Sequence, residues 1–312
     1  MNRELIEQIC DTHSIQNAEL VEKDIVLQLI LLDLSKNLYF HSQFLFKGGT
    51  RLCKAYLDYE RFSEDIDFTW KNQEEFAGTS QKRLRQMLSR HIIAIGRILE
   101  TIAKSRNLDF KSEKEDKKYV EFGGSNKMCT FKLWYTSVIS GRKAFIKMQI
   151  NFVELLLFKS RKKNLRSLID NHNKELEALF PEVLDYEKRI PFEVYDVKEI
   201  LCEKIRAILT RKGIKARDFI DIYLIHEKFG ISPEALKKEA LLKIRSSFRL
   251  YHKYKANFAG RSTPVNIDER QLLLEVRPLL LKPINYKSFY IFLKSQEKTL
   301  DEIATALREG GS

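Results

Sequence analysis

The sequence predicts an α+β protein whose strands lie in its N-terminal half and whose C-terminal half is helical. Short apolar and alternating segments occur between residues 44 and 152, as expected of strands. From residue 196 onward, apolar side chains recur with helical spacing. The chain is 44% hydrophobic and 31% charged, which suits a globular protein with a substantial core.

The start of the chain shows the patterns of two helices and two strands. Residues 4–37 are densely apolar without Gly or Pro and predict one long helix. The apolar run Phe44–Phe46 stops at Gly48-Gly49, which predicts a strand that leads into a tight turn. Residues 50–57 then predict a short helix. Residues 65–68 alternate between acidic and apolar side chains, which is the period of a strand.

A long helix and a β-rich stretch follow. Residues 81–104 predict a helix, and segments rich in Val, Ile, Phe, Tyr and Trp predict strands at 118–122, 128–136 and 142–152. The basic segment 159–166 is predicted to be irregular. The domain boundary is therefore placed within this part of the chain.

Four helices are predicted in the C-terminal part. Asp196 and Glu199 have the spacing of a capping box for a helix over 197–211. The others are predicted at 215–229, after Ser232-Pro233 and at 286–308. We predict two domains, an α+β core with N-terminal helices (1–160) and a mainly helical domain (161–312), in a chain long enough for both.

The charge and the cysteine pattern limit the class of protein. A net charge of +12 and a pI near 9.3 favour polyanionic partners such as nucleic acid, nucleotides or anionic surfaces. The four cysteines form no CxxC pair and the six histidines no HExxH spacing, so neither a zinc site nor a disulfide framework is indicated. With no long apolar stretch and no apolar signal core, we expect a cytoplasmic protein without a membrane partner.

Asp65 and Asp67 are the first candidate site residues. Residues i and i+2 of a strand project from one face, so these carboxylates stand about 7 Å apart at the backbone. Such like charges repel unless a cation lies between them, and Mg²⁺ prefers a few carboxylates with phosphate oxygens and water. An Asp-x-Asp pair alone is nevertheless more often an ordinary exposed feature of a strand.

Gly48-Gly49-Thr50 supplies the second half of the pattern. Two glycines let the backbone turn sharply and approach a phosphate closely, and the following helix offers free N–H groups. The Thr50 hydroxyl can cap that helix or contact a phosphate oxygen. A lone Gly-Gly-Thr is more often an ordinary corner, but together with Asp65 and Asp67 it describes a nucleoside triphosphate site.

This combination resembles the DNA polymerase β-like nucleotidyltransferases. The fuller text, Phe46–Thr50 followed by Arg61–Phe68, resembles the AbiEii/AbiGii-type toxin family, which includes the MenT-like toxins. Upstream, Val21–Asp24 resembles the family's "EKD" helix. Downstream, residues 199–207 and 216–223 resemble its E-x-x-x-x-K-x-x-A and RD-x-x-D helices, so the resemblance spans most of the chain.

The resemblance implies a fold and a set of site residues. The fold is a mixed sheet flanked by helices, followed by an α-helical C-terminal domain. The implied catalytic residues are Asp65, Asp67, Lys204 and Asp218, of which Asp65 and Asp67 bind Mg²⁺ or, as an alternative, Mn²⁺. The implied nucleotide-binding residues are Lys47, Gly48, Gly49, Thr50, Arg61, Ser63 and Asp221.

The helices around Lys204 allow two interpretations. A lysine beside an apolar helix face can place a point charge on triphosphate, and Asp218 and Asp221 share one helix face. The residues alone favour a surface salt-bridge network in which Arg217 pairs with Asp221. The family resemblance instead favours Lys204 and Asp218 as members of the active site.

A third carboxylate, common in polymerase β-like enzymes on a later strand, is missing from the expected position. In the segment 146–151 the polar candidates are Gln149 and Asn151, which are amides and cannot accept a proton as a carboxylate does. Glu154 lies beyond the predicted strand. Either the third acid is dispensable, or Glu154 substitutes for it, or catalysis is weak.

The resemblance implies a toxin that transfers a nucleoside monophosphate from an NTP to an acceptor. The implied acceptor is the 3′ end of tRNA, with a translation block in a toxin–antitoxin or phage-defence system and an antitoxin as partner. The alternatives are transfer to a protein or small molecule, and a nucleotide- or RNA-binding module without turnover. The candidates for binding the RNA backbone are Arg245, Arg249, Tyr251, His252, Lys253, Tyr254 and Lys255. The alternative is that they form a solvated helix face.

Overall fold

The structure is a computed structural model that describes residues 2–169, 174–260 and 269–309, the side chains of 269–271 excepted. It contains two compact units. The first unit comprises Met1–Val153 and Ser160–Val194, and the second comprises Glu154–Lys159 and Tyr195–Ser312.

The described helices and strands are labelled in chain order. The helices are α1 (Arg3–His13), α2 (Ala18–Lys36), α3 (Leu38–Gln43), α4 (Gly48–Ala55), α5 (Gln81–Ser105), α6 (Lys174–Leu179), α7 (Val183–Glu187), α8 (Val197–Thr210), α9 (Ala216–Phe229), α10 (Lys237–Leu250), α11 (His252–Ala259), α12 (Glu269–Val276) and α13 (Tyr286–Glu309). The strands are β1 (Phe44–Lys47), β2 (Asp65–Trp70), β3 (Val120–Gly123), β4 (Met128–Thr136), β5 (Lys143–Asn151), β6 (Arg161–Leu165) and β7 (Ile190–Val194). Short 3₁₀ helices occupy Gln73–Phe76, Glu234–Leu236 and Arg277–Leu279.

The N-terminal helical segment is interrupted, so the prediction of a single helix over 4–37 is wrong. Ser14 adopts a left-handed conformation with φ of 53° and ends α1. Asn17 then caps α2, because its side chain accepts a hydrogen bond from the Leu20 N–H at 3.3 Å. The break therefore comes from an Asn cap, in a segment that contains neither Gly nor Pro.

The first unit is built on a mixed seven-stranded sheet in the order β3-β4-β5-β2-β1-β7-β6. β2 runs parallel to β5 and β1 runs parallel to β7, whereas the other neighbours are antiparallel. The expected α+β fold with a mixed sheet and a helical C-terminal region is confirmed, as are the strands predicted before residue 152.

Two strands of this sheet were not predicted. β6 was predicted to be irregular because its exposed side chains, among them Arg161, Lys162 and Lys163, give no apolar alternation. β6 lies at the edge of the sheet, where exposed cations discourage pairing with another chain. β7 is its antiparallel partner, so residues 160–194 pack with the first unit.

The alternation of β2 and β5 gives the sheet one apolar and one polar face at its centre. Ile66 and Phe68 are fully buried, and the ring of Phe68 packs edge-on against Phe40 of α3 at 4.7 Å. Ile146, Met148 and Ile150 of β5 are likewise fully buried. The polar residues between them share the opposite face, which is where the candidate site lies.

The second unit is helical, as predicted. α8 packs against both α9 and α10. Asp196 caps α8 by accepting a hydrogen bond from the Lys198 N–H at 3.0 Å. The predicted capping box is wrong in its second half, because Glu199 accepts hydrogen bonds from the Leu157 and Phe158 N–H groups instead. Among the described residues, no helix has the length and apolar character needed to cross a membrane.

The segment that resembles an "EKD" helix fastens α2 to the rest of the first unit. Glu22 accepts hydrogen bonds from the Ser137 hydroxyl at 2.5 Å and the Val138 N–H at 2.7 Å. Lys23 pairs with Glu64 at 2.8 Å, one residue before β2. These contacts hold the start of β2 and the turn between β4 and β5 against the same helix.

Asp24 completes this attachment through a buried ion pair. Its carboxylate lies 2.9 Å from the Lys54 ammonium of α4 and accepts hydrogen bonds from the hydroxyls of Tyr59 at 3.0 Å and Tyr186 at 2.8 Å. Burial lowers the pKa of Lys54, and the charge of Asp24 acts against that shift. The ammonium therefore depends on Asp24 to remain charged inside the protein.

We expect Asp24→Asn to lower the free energy of unfolding by about 3–5 kcal/mol, because it leaves the buried Lys54 charge without a counter-ion. Urea denaturation measures the loss. The double variant Asp24→Asn/Lys54→Met removes both charges and should recover part of it. A double variant less stable than Asp24→Asn alone would contradict this account.

Candidate active site

The turn between β1 and α4 places a glycine directly against Asp67. Lys47 ends β1 and is the register partner of Asp67 on β2. Gly48 follows with φ of +77°, and a Cβ atom built there would lie 2.2 Å from Asp67 Oδ2. Both the backbone angle and the lack of space require glycine, so the turn and the carboxylate form one compact feature.

The second glycine and the threonine connect the turn to the segment before β2. A Cβ atom on Gly49 would lie 3.0 Å from both Arg61 Nη2 and Ser63 Oγ. The Thr50 hydroxyl lies 2.9 Å from Ser63 Oγ and donates to the main-chain carbonyl of Asp65. Thr50 thus ties α4 to β2 and does not serve as a helix cap.

Asp65 and Asp67 share the polar face of the sheet. Asp65 is the register partner of Lys147 on β5, and Asp67 that of Gln149. The Lys147 ammonium lies 3.4 Å from Asp65 Oδ2. The Asp65 side chain remains 23% exposed, so the carboxylate is open to solutes as well as to its lysine neighbour.

The expected position of a third carboxylate is filled by amides. On β5 the side chain of Gln149 donates to that of Asn151 at 3.4 Å. Glu154 lies beyond β5 and belongs to the second unit, where its carboxylate lies 3.2 Å from Lys243 and accepts from the Tyr195 hydroxyl at 3.0 Å. Within the described residues, no group of three or more His, Cys, Asp or Glu side chains is placed to hold a metal ion.

In the second unit, Lys204 lies between two buried aspartates. Its ammonium is 2.8 Å from Asp218 Oδ1 and 2.6 Å from Asp221 Oδ2, and Arg211 also pairs with Asp218. Asp218 and Asp221 are 1% and 0% exposed. The cluster is therefore a buried connection between α8 and α9, whereas the residues alone had favoured an exposed network with Arg217.

Charge balance keeps Asp218 ionised within this cluster. Burial opposes ionisation of its carboxyl group, but the charges of Lys204 and Arg211 outweigh burial and lower the pKa of Asp218 below its ordinary value. A buried carboxylate with two cationic neighbours is the arrangement that makes such ionisation favourable.

The basic and aromatic residues around α11 have mixed surroundings. Arg245, Arg249, His252, Lys253 and Lys255 are exposed, whereas the Tyr251 and Tyr254 rings are half-buried. The guanidinium of Arg206 lies 5.1 Å above the Tyr254 ring, and the Lys253 ammonium 5.2 Å from it. The exposed cations offer a positive surface, while Tyr254 is engaged by cations of its own unit.

Lys147 is the site neighbour that sequence reasoning missed. Gln149 and Asn151 were the polar candidates on β5, but Lys147 has the same two-residue spacing and projects from the same face. The two-residue period was therefore the available signal. Its pairing with Asp65 depends on the parallel register of two strands far apart in sequence.

Comparison with known protein families gives a match over most of the chain. The profile of the AbiEii nucleotidyl transferase toxins, from type IV toxin–antitoxin systems, matches residues 30–308. This chain belongs to the AbiEii family. It is accordingly a nucleotidyltransferase of a toxin–antitoxin system, as the motifs in its N-terminal half had indicated.

Two solved structures from Helicobacter pylori are similar to this AbiEii protein. JHP933 is 12% identical with a TM-score of 0.44, over 95% of this chain and 96% of that one. A protein described as a proposed nucleotidyltransferase is 14% identical with a TM-score of 0.44, over 94% of this chain and 98% of that one. A comparison with curated proteins gives no significant match.

We expect Gly48→Ala to abolish nucleotidyl transfer by the AbiEii protein, because the new methyl group displaces the Asp67 carboxylate. Gly141→Ala is the matched control, since Gly141 has φ of +71° but no atom within 4 Å of a built Cβ. The backbone strain alone should cost about 1–2 kcal/mol in either variant. Urea denaturation should show a similar loss of stability in both variants, whereas transfer assays should show activity in Gly141→Ala only. An active Gly48→Ala variant would contradict the assignment of this turn to the active site.

Asp218→Asn should lower the stability of the AbiEii protein at neutral pH by about 3 kcal/mol. The folded-state pKa of Asp218 is lowered, so its carboxylate stabilises the fold at pH values above the unfolded-state pKa of 3.8. This stabilisation is lost as the pH falls through the folded-state pKa. The difference from wild type should therefore narrow below pH 3.8. Urea denaturation across pH measures this difference. Glu302 pairs with Lys237 at 2.7 Å on the surface, so the control variant Glu302→Gln should lose much less stability.

Proposed function

We propose that this AbiEii toxin transfers a nucleoside monophosphate from an NTP to the 3′ end of tRNA and thereby blocks translation. The observation that carries the proposal is the contact between the Gly48 turn and Asp67, where a Cβ atom would lie 2.2 Å from the carboxylate oxygen. A phosphate-binding turn and a metal-binding carboxylate are useful together only when both contact one metal–triphosphate complex.

The residues of the first unit fit a bound Mg²⁺–triphosphate complex. Gly48 lets the backbone of the turn lie directly against the Asp67 carboxylate, and the first N–H groups of α4 suit the distal phosphates. Asp65 and Asp67 supply carboxylate oxygens from one sheet face, a donor set that Mg²⁺ accepts together with phosphate oxygens. When bound there, Mg²⁺ would neutralise the phosphates and polarise the α-phosphate.

The proposed reaction is an in-line displacement at the α-phosphate. The acceptor hydroxyl attacks the α-phosphorus in line with the leaving group, the new P–O bond forms, and the bond to the bridging oxygen breaks. Pyrophosphate leaves and the hydroxyl proton passes to solvent. Thr50 keeps α4 and β2 in fixed register through Ser63 and the Asp65 carbonyl, so the turn and the carboxylates keep their spacing during the step.

The remaining assigned residues take supporting roles in the proposal. Lys47 and Arg61 are buried beside the turn and supply positive charge for the nucleotide. For Lys204, which lies between Asp218 and Asp221 in the second unit, we propose the triphosphate-binding role that its family motif implies. Their support comes from burial, from charge and from the family motifs that they match.

An RNA acceptor agrees with the charge of the chain. A net charge of +12 favours a polyanion over a neutral acceptor, and exposed cations follow one another at the end of α10 and along α11. Membership of a type IV toxin–antitoxin family supports an antitoxin as a further partner. The same membership supports a role in phage defence.

The test is an assay with four labelled NTPs, Mg²⁺ and total tRNA. Wild type should label tRNA with one preferred nucleotide, and Asp67→Asn should reduce the rate by at least about 100-fold. Asp109→Asn is the control, since it removes a carboxylate of the same unit that pairs with Lys118 at 2.8 Å and has no assigned role in the site. Equal activity in Asp67→Asn, or label entering only a protein fraction, would contradict the proposal.

A further inference from the structure

Each aspartate of the candidate site has a lysine as its register partner on a neighbouring strand. Lys47 of β1 is the partner of Asp67, and Lys147 of β5 is the partner of Asp65. Lys47 is 4% exposed, and the Lys147 ammonium lies 3.4 Å from Asp65 Oδ2. Two fixed cations thus accompany two carboxylates on one stretch of the sheet.

The Asp65 and Asp67 site lacks the carboxylates that a centre with two metal ions requires. Two ions about 4 Å apart need shared or additional acidic ligands, and within the described residues no three His, Cys, Asp or Glu side chains are so grouped. The β5 residues beside the aspartates are Lys147 and Gln149, a cation and a neutral amide.

The position of Lys147 also disfavours a second ion electrostatically. Its ammonium already contacts one Asp65 oxygen, so a second divalent ion on that oxygen would have to displace it or bind beside a like charge. A lysine offers the positive charge that such an ion would supply and needs no further ligands. The side chain is 35% exposed, so it can reach a bound phosphate.

We propose that the site binds one divalent cation together with the NTP, and that Lys147 takes the electrostatic place of the second. This inference rests on the proposed nucleotidyltransferase function and specifies its metal requirement. Asp65 and Asp67 would hold the single ion. Lys147 would remain beside Asp65 Oδ2 and supply positive charge to the bound phosphates.

Counting bound Mn²⁺ by electron paramagnetic resonance tests the inference. Protein and an α,β-methylene NTP analogue are mixed in equal amounts, well above their dissociation constant, and titrated with Mn²⁺. We expect one ion per complex in wild type and in Lys147→Arg. In Lys147→Glu, which adds an acidic ligand beside Asp65, we expect two.

Lys132→Glu is the matched control. Lys132 is the register partner of Lys147 one strand further from Asp65 and pairs with Glu121 at 2.5 Å, so the same charge reversal there should leave one ion bound. A count of two in Lys132→Glu would overturn the inference. The number of bound ions would then depend on the overall charge of the sheet face and not on an acidic ligand beside Asp65.

The remaining outcomes separate this inference from the proposed function. Two ions in wild type, or one ion in both wild type and Lys147→Glu, overturn the role of Lys147 and leave nucleotidyl transfer intact. No ion in any complex overturns both proposals. The wild-type count requires no substitution, so it decides the number of bound ions even if Lys147→Glu does not fold.

Discussion

The approach of the Gly48 backbone to the Asp67 carboxylate is the constraint around which the first unit is arranged. It requires antiparallel pairing of β1 with β2, a left-handed glycine at the turn, and a hydroxyl on α4 that holds the start of β2. The apolar side of β2 must then be fully buried, as Ile66 and Phe68 are. The core and the polar site are thus opposite faces of the same short strand.

Three clusters of buried charges elsewhere in the described chain pair acidic with basic side chains. Asp24 meets Lys54, Glu199 meets Lys243, and Asp218 meets both Lys204 and Arg211. Each cluster joins separate elements of its own unit, and removing one partner leaves a charge in a medium that solvates it poorly. The family motifs outside the glycine turn therefore have a clear structural role, whichever catalytic role each also has.

Sequence reasoning was most successful where the determining contacts are local. The turn at Gly48-Gly49, the alternation around Asp65, and most strands and helices could be predicted because each is set by residues within a few positions. The break at Ser14 was missed because the segment contains no Gly or Pro and the new helix begins at the cap residue Asn17. β6 was missed because its side chains are cationic and exposed. The pairing of Lys147 with Asp65 could not be predicted, since only the order of strands in the sheet brings them together.

The parallel neighbours of the antiparallel pair β1–β2 have a consequence for the synthesis of the protein. This pair, with the glycine turn and both aspartates, leaves the ribosome before the two strands that flank it. Its flanking strands β5 and β7 end only at Asn151 and Val194, and at ribosomal speed the latter emerges several seconds later. A nascent toxin therefore carries its glycine turn and both aspartates before it has the strands that flank them. Translation must pass Val194 before the sheet can be complete.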